Sequence, residues 1–244
     1  MQLLETEGLS EVGGRAFDFE AGDVFDTANP PAEAQNAWFD FVGRARREHP
    51  HTAIVAIGGN HDSAGRLDAP ASILSALGVH MVGGLPRKAS GALDVDRLLV
   101  PLRDRAGHTQ ALVAAVPFLR PADLPVVAEE SVDKLIEGVR RLYAEVLTEA
   151  EQRLNAQQAL VAMGHLYMVG TTLSELSERK ILGGHQHALP VELFGPRVAY
   201  AALGHLHRLQ HVGGHKHLAY CGSPLPLSLR EDLYLHTVFV ADLE

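Results

Sequence analysis

Three segments place oxygen or imidazole donors directly behind an apolar run and a glycine: Gly22-Asp23-Val24-Phe25-Asp26, Gly59-Asn60-His61-Asp62 and Gly204-His205-Leu206-His207. A fourth, Gly164-His165, follows the apolar stretch 159–163 in the same way. Such a run reads as a buried strand. The glycine lets the chain turn sharply, so the next side chain projects into a crevice at the strand end. One of these motifs alone is an ordinary turn. Four in one chain, in the order Asp, Asn-His-Asp, His and His-x-His, mix carboxylate, carboxamide and imidazole donors, a set suited to Mn, Fe or Zn, and one carboxylate can bridge two ions.

The elements that must carry these donors are legible in outline. Residues 53–57, 198–203 and, more weakly, 16–21 read as strands. Pro30-Pro31 opens a helix whose apolar residues Ala34, Ala37, Trp38, Phe41, Val42 and Ala45 form one stripe for packing on a sheet. Residues 69–77 read as a helix ending at Gly78, and 79–82 as the next strand. Residues 98–102 and 111–116 read as a hairpin around the polar turn 103–108. The longest helical pattern covers 131–155 with Ser131 as N-cap, and a last strand is expected at 235–240. Strand and helix alternate early, with hairpin-like strands near the C-terminus. The expected fold class is therefore α/β, a two-sheet sandwich flanked by helices, with the active site along one edge.

A chain of 244 residues, 46% of them hydrophobic, can bury about three quarters of its unfolded surface, enough for one core. One domain over 1–244 is expected, with no linker. The single Cys221 excludes an internal disulfide, fits a reducing compartment, and reads as a small strand residue rather than a nucleophile. No apolar run is long enough to span a membrane, and the start has no signal-peptide pattern; a cytoplasmic protein without a membrane partner is expected. The net charge of -9 argues at first against a nucleic-acid partner. Two divalent ions, however, would add about four positive charges where a phosphodiester binds. The basic clusters Arg44-Ala45-Arg46-Arg47, Arg103-Asp104-Arg105 and Arg140-Arg141 read as solvated helix or turn surface.

From about Phe19 to Leu229 the chain resembles the calcineurin-like metallophosphoesterases and, among them, the bacterial DNA repair exonucleases of SbcD type. The resemblance runs through Ala-Gly-Asp-Val-Phe-Asp at 21–26, Gly-Asn-His-Asp at 59–62, Ser-Glu-Arg at 177–179, Ala-Leu-Gly-His-Leu-His at 202–207 and Gly-Ser-Pro-Leu-Pro-Leu-Ser at 222–228. The last is the most specific, since no metal chemistry demands it. The resemblance implies a calcineurin-like metallophosphoesterase core cleaving DNA with Mn2+, other divalent metals being possible, beside an ABC-type ATPase partner of SbcC type. It assigns Asp23 as a bridge between two metals, with Asn60, His165 and His205 completing the second. His207 would reach the first, because both histidines of His-x-His point the same way on an extended segment. His61, next to a ligand Asn, is read as the catalytic acid that protonates the departing 3' oxygen, with Asp62 either orienting it or capping the turn. Tyr167, Arg66 and the loop 223–226 are candidate groove residues.

Two departures accompany the match. The family's first strand ends in Asp-x-His, and in register those ligands fall on Gly8 and Ser10. The first metal site is therefore expected to be weak or empty, unless Glu5 or Glu7 substitutes. Family members also continue into a capping region and ATPase-docking helices. This chain stops at Glu244, so it is expected to be the core alone, without the docking region; a homodimer through the helix at 32–47 remains possible. His185 and His187, like His211, His215 and His217, read as loop and hairpin histidines. Three classes of function stay open: an SbcD-type DNA exonuclease or endonuclease, a small-molecule phosphodiesterase, and a non-catalytic regulator keeping the fold.

Overall fold

The computed structural model describes residues 17–104, 106–128, 133–172, 188–229, 231–239 and 241. Two sheets form the centre. The smaller is parallel, in the order β1 (Phe17–Ala21), β2 (Ala53–Ile57), β3 (Val79–Val82). The larger runs β4 (Leu99–Arg103), β5 (Thr109–Ala115), β6 (Ala159–His165), β7 (Val198–Gly204), β9 (His215–Tyr220), β8 (Gln210–Val212). Its four central strands are parallel, and β4 and β8 are antiparallel edges among the described residues.

Strand β2 shows why the layers stack as they do. Its residues Ile54 to Ile57 are all buried, and successive side chains face opposite sides of the sheet. Val55 and Ile57 join Val113 of β5 and Val161 of β6 in the core between the sheets. Ile54 and Ala56 face a separate apolar cluster built by Val42, Leu67, Leu74 and Met81, with Trp38 and Phe41 packed against it. Apart from Met81 on β3, that cluster belongs to α1 (Ala32–Glu48), α2 (Ala64–Asp68) and α3 (Ala71–Ala76), which cover the small sheet. After the short α4 (Val95–Leu98), the long α5 (Lys134–Arg153) packs on the large sheet through Val139, Leu142, Tyr143 and Val146. The expected two-sheet sandwich flanked by helices is thus the observed architecture.

Several local expectations need correction. The helix read at 69–77 is present as α3, starting at Ala71 directly after Pro70 and ending at Ala76; the short α2 at Ala64–Asp68, ahead of it, was not read. The stripe on α1 is narrower than its spacing suggested: Ala37 is exposed and only Val42 is fully buried. Leu98 closes α4, and the strand starts one residue later. The N-cap of α5 is Asp133, whose carboxylate accepts from the backbone N–H groups of Leu135 and Ile136; Ser131 lies outside the described residues. Residues 235–239 form no strand, and Leu235 is 71% exposed. The hairpin around Gly213-Gly214 is present as β8 and β9.

Strand β1, at an edge of its sheet among the described residues, alternates Phe17, Phe19 and Ala21, packed on the core, with Asp18 and Glu20. Burial, and then the charges of Asp18 and Asp62, push the Glu20 carboxyl well above its ordinary 4.5. A raised carboxyl contributes stability that is complete below its unfolded pKa and is lost as pH rises through its folded one. Glu20→Gln, which does not titrate, is therefore expected to gain melting temperature over the parent at pH 7 and to gain less at pH 4. A difference independent of pH would show that Glu20 ionises as freely folded as unfolded.

Candidate active site

The donors predicted from the sequence leave the C-terminal ends of parallel strands, which lie on one side of each sheet. Ala21 pairs with Ile57 in the small sheet, and His165 with Gly204 in the large one. Asp23 therefore emerges beside Asn60, and His165 beside His205. Two glycines let the sheets meet there. A Cβ on Gly22, where φ is +100°, would fall 2.2 Å from His165 Nδ1, and one on Gly204 would fall 1.7 Å from the Ala21 carbonyl oxygen.

His165, 1% exposed, is held from both sides. Its Nδ1 lies 2.9 Å from the Ala21 carbonyl oxygen; a carbonyl only accepts, so this nitrogen carries the proton. On a neutral ring Nε2 is then a lone pair. It nonetheless faces Asn60 Oδ1 at 2.8 Å and Asp23 Oδ2 at 3.3 Å. His205 Nδ1 stands 3.2 Å from the same Asn60 oxygen. Burial, reinforced by the neighbouring His165, pushes His205 down to about 3, so this ring is neutral at physiological pH. Burial would raise the Asp23 carboxyl, but the hydrogen bond and charge of His165 and the backbone N–H of His61 hold it at about 2.

Electron-rich atoms from Asp23, Asn60, His165 and His205 thus crowd one small volume. Either a proton shared at His165 Nε2 or a cation relieves that crowding. Neighbouring ligand atoms around an octahedral divalent ion, at bonds of about 2.1 Å, lie ~3 Å apart, the spacing seen here. Among the described residues no three His, Cys, Asp or Glu side chains form a ready metal cluster; it is the Asn60 oxygen that joins the two imidazoles. Asp23 and His205 are also the two non-glycine residues with positive φ, +53° and +98°, among those described. Such backbone strain persists where the surroundings over-determine it, and it concentrates at functional sites.

The other site residues are placed differently from expectation. The left-handed turn at His205 means that the 205–207 segment is not extended, so the argument that His205 and His207 point the same way fails. His207 instead meets Glu231, buried to 1%, with Nδ1 2.9 Å from its carboxylate. The His61 ring is oriented not by Asp62 but by the Asp26 backbone carbonyl, 2.8 Å from Nδ1. Asp62 is 2% exposed and accepts from the backbone N–H groups of Gly59, Val24 and Phe25, tying the Asp23 loop to the Asn60 loop. Arg66 bonds Asn29, and Tyr167 packs against the core.

Three residues escaped the sequence reading. Glu231 fixes His207. Phe118 places its ring edge-on to His165 at 6.0 Å, and Arg120 lies over the Phe118 ring at 5.7 Å. The available signal was the proline-bracketed stretch Pro117-Phe118-Leu119-Arg120-Pro121 behind β5, another parallel strand end. Cys221 lies just past β9, half-buried, and burial raises its thiol pKa, unlike a nucleophile. Ser177 to Arg179, His185 and His187 lie outside the described residues, as do Glu5, Glu7, Gly8 and Ser10.

A two-sheet α/β sandwich that gathers Asp, Asn and His at converging strand ends has the architecture of a metallophosphoesterase core. No family model matches the chain. It is 45% identical over 227 residues to the SbcD subunit of the SbcCD nuclease of Rhodobacter capsulatus, covering 91% of this chain and 55% of the relative. To the corresponding protein of Escherichia coli K12 it is 34% identical over 247 residues (97% and 57%), and to that of Bacillus subtilis 32% over 227 residues (91% and 54%). The chain is a homologue of these SbcD-type nuclease subunits across nearly all of its own length and spans about half of theirs. Among the described residues no helix is long and apolar enough to cross a membrane.

Proposed function

We propose that this chain carries the catalytic core of a divalent-metal-dependent nuclease that cleaves DNA in repair and recombination. The observation that carries the reading is the convergence of Asp23, Asn60, His165 and His205 on one volume, in a chain homologous to proteins named as nuclease subunits. Those four residues would hold one ion, Mn2+ by preference. Asp23 with His207 would serve a second, weaker site, for which the sequence offers Gly8 and Ser10 in place of two further ligands. Bound there, the metal would supply Lewis acidity toward a phosphodiester and lower the pKa of the attacking water.

The protein's own groups do the rest. The hydrogen bond from His165 Nδ1 to the Ala21 carbonyl fixes the ring so that Nε2 presents its lone pair, and Glu231 does the corresponding service at His207 Nδ1. The Asp26 carbonyl holds the proton on His61 Nδ1, so proton transfer to a leaving oxygen falls to Nε2. Because the relatives are the SbcD components of SbcCD, the corresponding partner of this chain would be an SbcC protein.

Elemental analysis after dialysis from Mn2+ is expected to find close to one tightly held ion per chain, and Asn60→Ala to lose it. Gly8→Asp with Ser10→His should raise the content toward two. Two tight ions in the unaltered chain would refute the weakness of the Asp23–His207 site and point to Glu5 or Glu7 as replacement ligands. Hydrolysis of single- and double-stranded DNA in Mn2+ should accompany binding. Cleavage of a bis-aryl phosphodiester without DNA cleavage would favour a small-molecule substrate. A folded protein silent on both would favour a regulator that keeps the fold.

A further inference from the structure

Four arginines of the basic clusters singled out in the sequence engage the protein's own surface. Arg140 and Arg141 both bind Glu137, Arg46 binds the carbonyls of His49, Thr52 and Pro50, and Arg103 binds that of Gly107. A polyanion needs a cation somewhere near the cleavage point. Arg120 is an arginine that the fold brings close to it.

Three contacts fix it. Its guanidinium lies over Phe118, whose ring in turn meets His165. Nη2 donates to the Asp62 carbonyl at 3.2 Å, one residue from His61. The loop itself is pinned at both ends: Phe118 N–H donates to the Gly58 carbonyl at 2.8 Å, and Arg120 N–H to the Asp123 carboxylate at 2.8 Å. Among the described residues the Arg120 side chain has no carboxylate partner. A guanidinium offers five donors in a planar fork, and the contact to Asp62 uses one of them. The side chain is half-buried and pre-positioned one aromatic ring away from the His165 imidazole, which limits the entropy lost on gripping a ligand.

We propose that Arg120 is a substrate-binding residue that grips a DNA backbone phosphate next to the one being cleaved. This rests on the reading of DNA as substrate. The separation by the Phe118 ring sets Arg120 beyond the candidate metal ligands, at a neighbouring phosphate rather than at the reacting one. Its selectivity would be for chain length and charge, not base identity.

The test is equilibrium binding of a short DNA to the full chain across a salt series, with Ca2+ in place of Mn2+ to suppress cleavage. Arg120→Ala should weaken binding roughly ten-fold at about 0.1 M salt and lower the slope of log affinity against log salt by about 1. Arg120→Lys, which keeps the charge, should restore most of the slope. Mn2+ content and melting temperature should stay at parental values in both variants. If Arg120 only braces the Asp62 loop, Arg120→Ala loses Mn2+ or several degrees of melting temperature instead, and the proposal falls. Parental affinity and slope in Arg120→Ala overturn it as well, while leaving DNA as substrate intact. Failure of the unaltered chain to bind DNA overturns both.

Discussion

His61→Ala is expected to lower turnover on DNA by roughly 100-fold while leaving bound Mn2+ unchanged. A departing 3' oxygen needs a proton, and the group that gives it must be held and not itself be a ligand. His61 is held: its backbone N–H donates to Asp23 Oδ1 at 2.9 Å, and its Nδ1 is taken by the Asp26 carbonyl. The ring thus sits beside the candidate ligands with Nε2 as its working end. Since the backbone N–H survives the substitution, Asp23 keeps this hydrogen bond, and metal and substrate affinity should hold while the rate falls. Loss of Mn2+ along with activity would make His61 a ligand; a stability defect with near-parental turnover would make it a packing residue.

Asp62→Ala is expected to destabilise the fold by ~3 kcal/mol or more. Three backbone N–H groups, of Gly59, Val24 and Phe25, donate to this one carboxylate at 2.9 to 3.0 Å. Each buried donor left without a partner costs roughly 1–3 kcal/mol. Burial pushes the Asp62 carboxyl above its ordinary range while these amides pull the other way. Asp62→Asn keeps the volume but must turn an N–H group toward another donor, and should fall between. Urea denaturation reads the change through its midpoint. A loss below about 1 kcal/mol for Asp62→Ala would show that the two loops are held by other means.

How far the sequence could be read depended on whether a signal was local. Strands β2, β6 and β7 were legible because unbroken apolar runs end at glycines. Strand β1 was fainter because Asp18 and Glu20 interrupt its run, although both strand and acids are there. The five-residue α2 at 64–68 was missed because about one turn and a half is too short to show a helical period. Residues 235–239 are rich in strand-forming types, but residue type cannot supply a neighbour to pair with. Asp23, Asn60, His165 and His205 could be grouped from the sequence, and the fold brings these four together, since type and strand-end position suffice for that. What spacing could not convey was the positive φ at His205, which undid the geometric argument for His207. Nor could it convey the contacts of Glu231, Phe118 and Arg120, each made across the fold by residues with no distinctive local pattern.

The glycine contacts at Gly22 and Gly204 have a bearing on how this protein is made. Asn60 reaches His165 and His205 across separations of 105 and 145 residues, and His165 reaches Ala21 across 144. No fragment of the chain short of both sheets carries the site, so it comes into being only when they close on each other. Contacts so remote in sequence form late in folding, after the loops between them have been ordered. An ion captured there during refolding would therefore report completion of the last docking event, and its arrival could be timed against the earlier formation of α5 to separate the two.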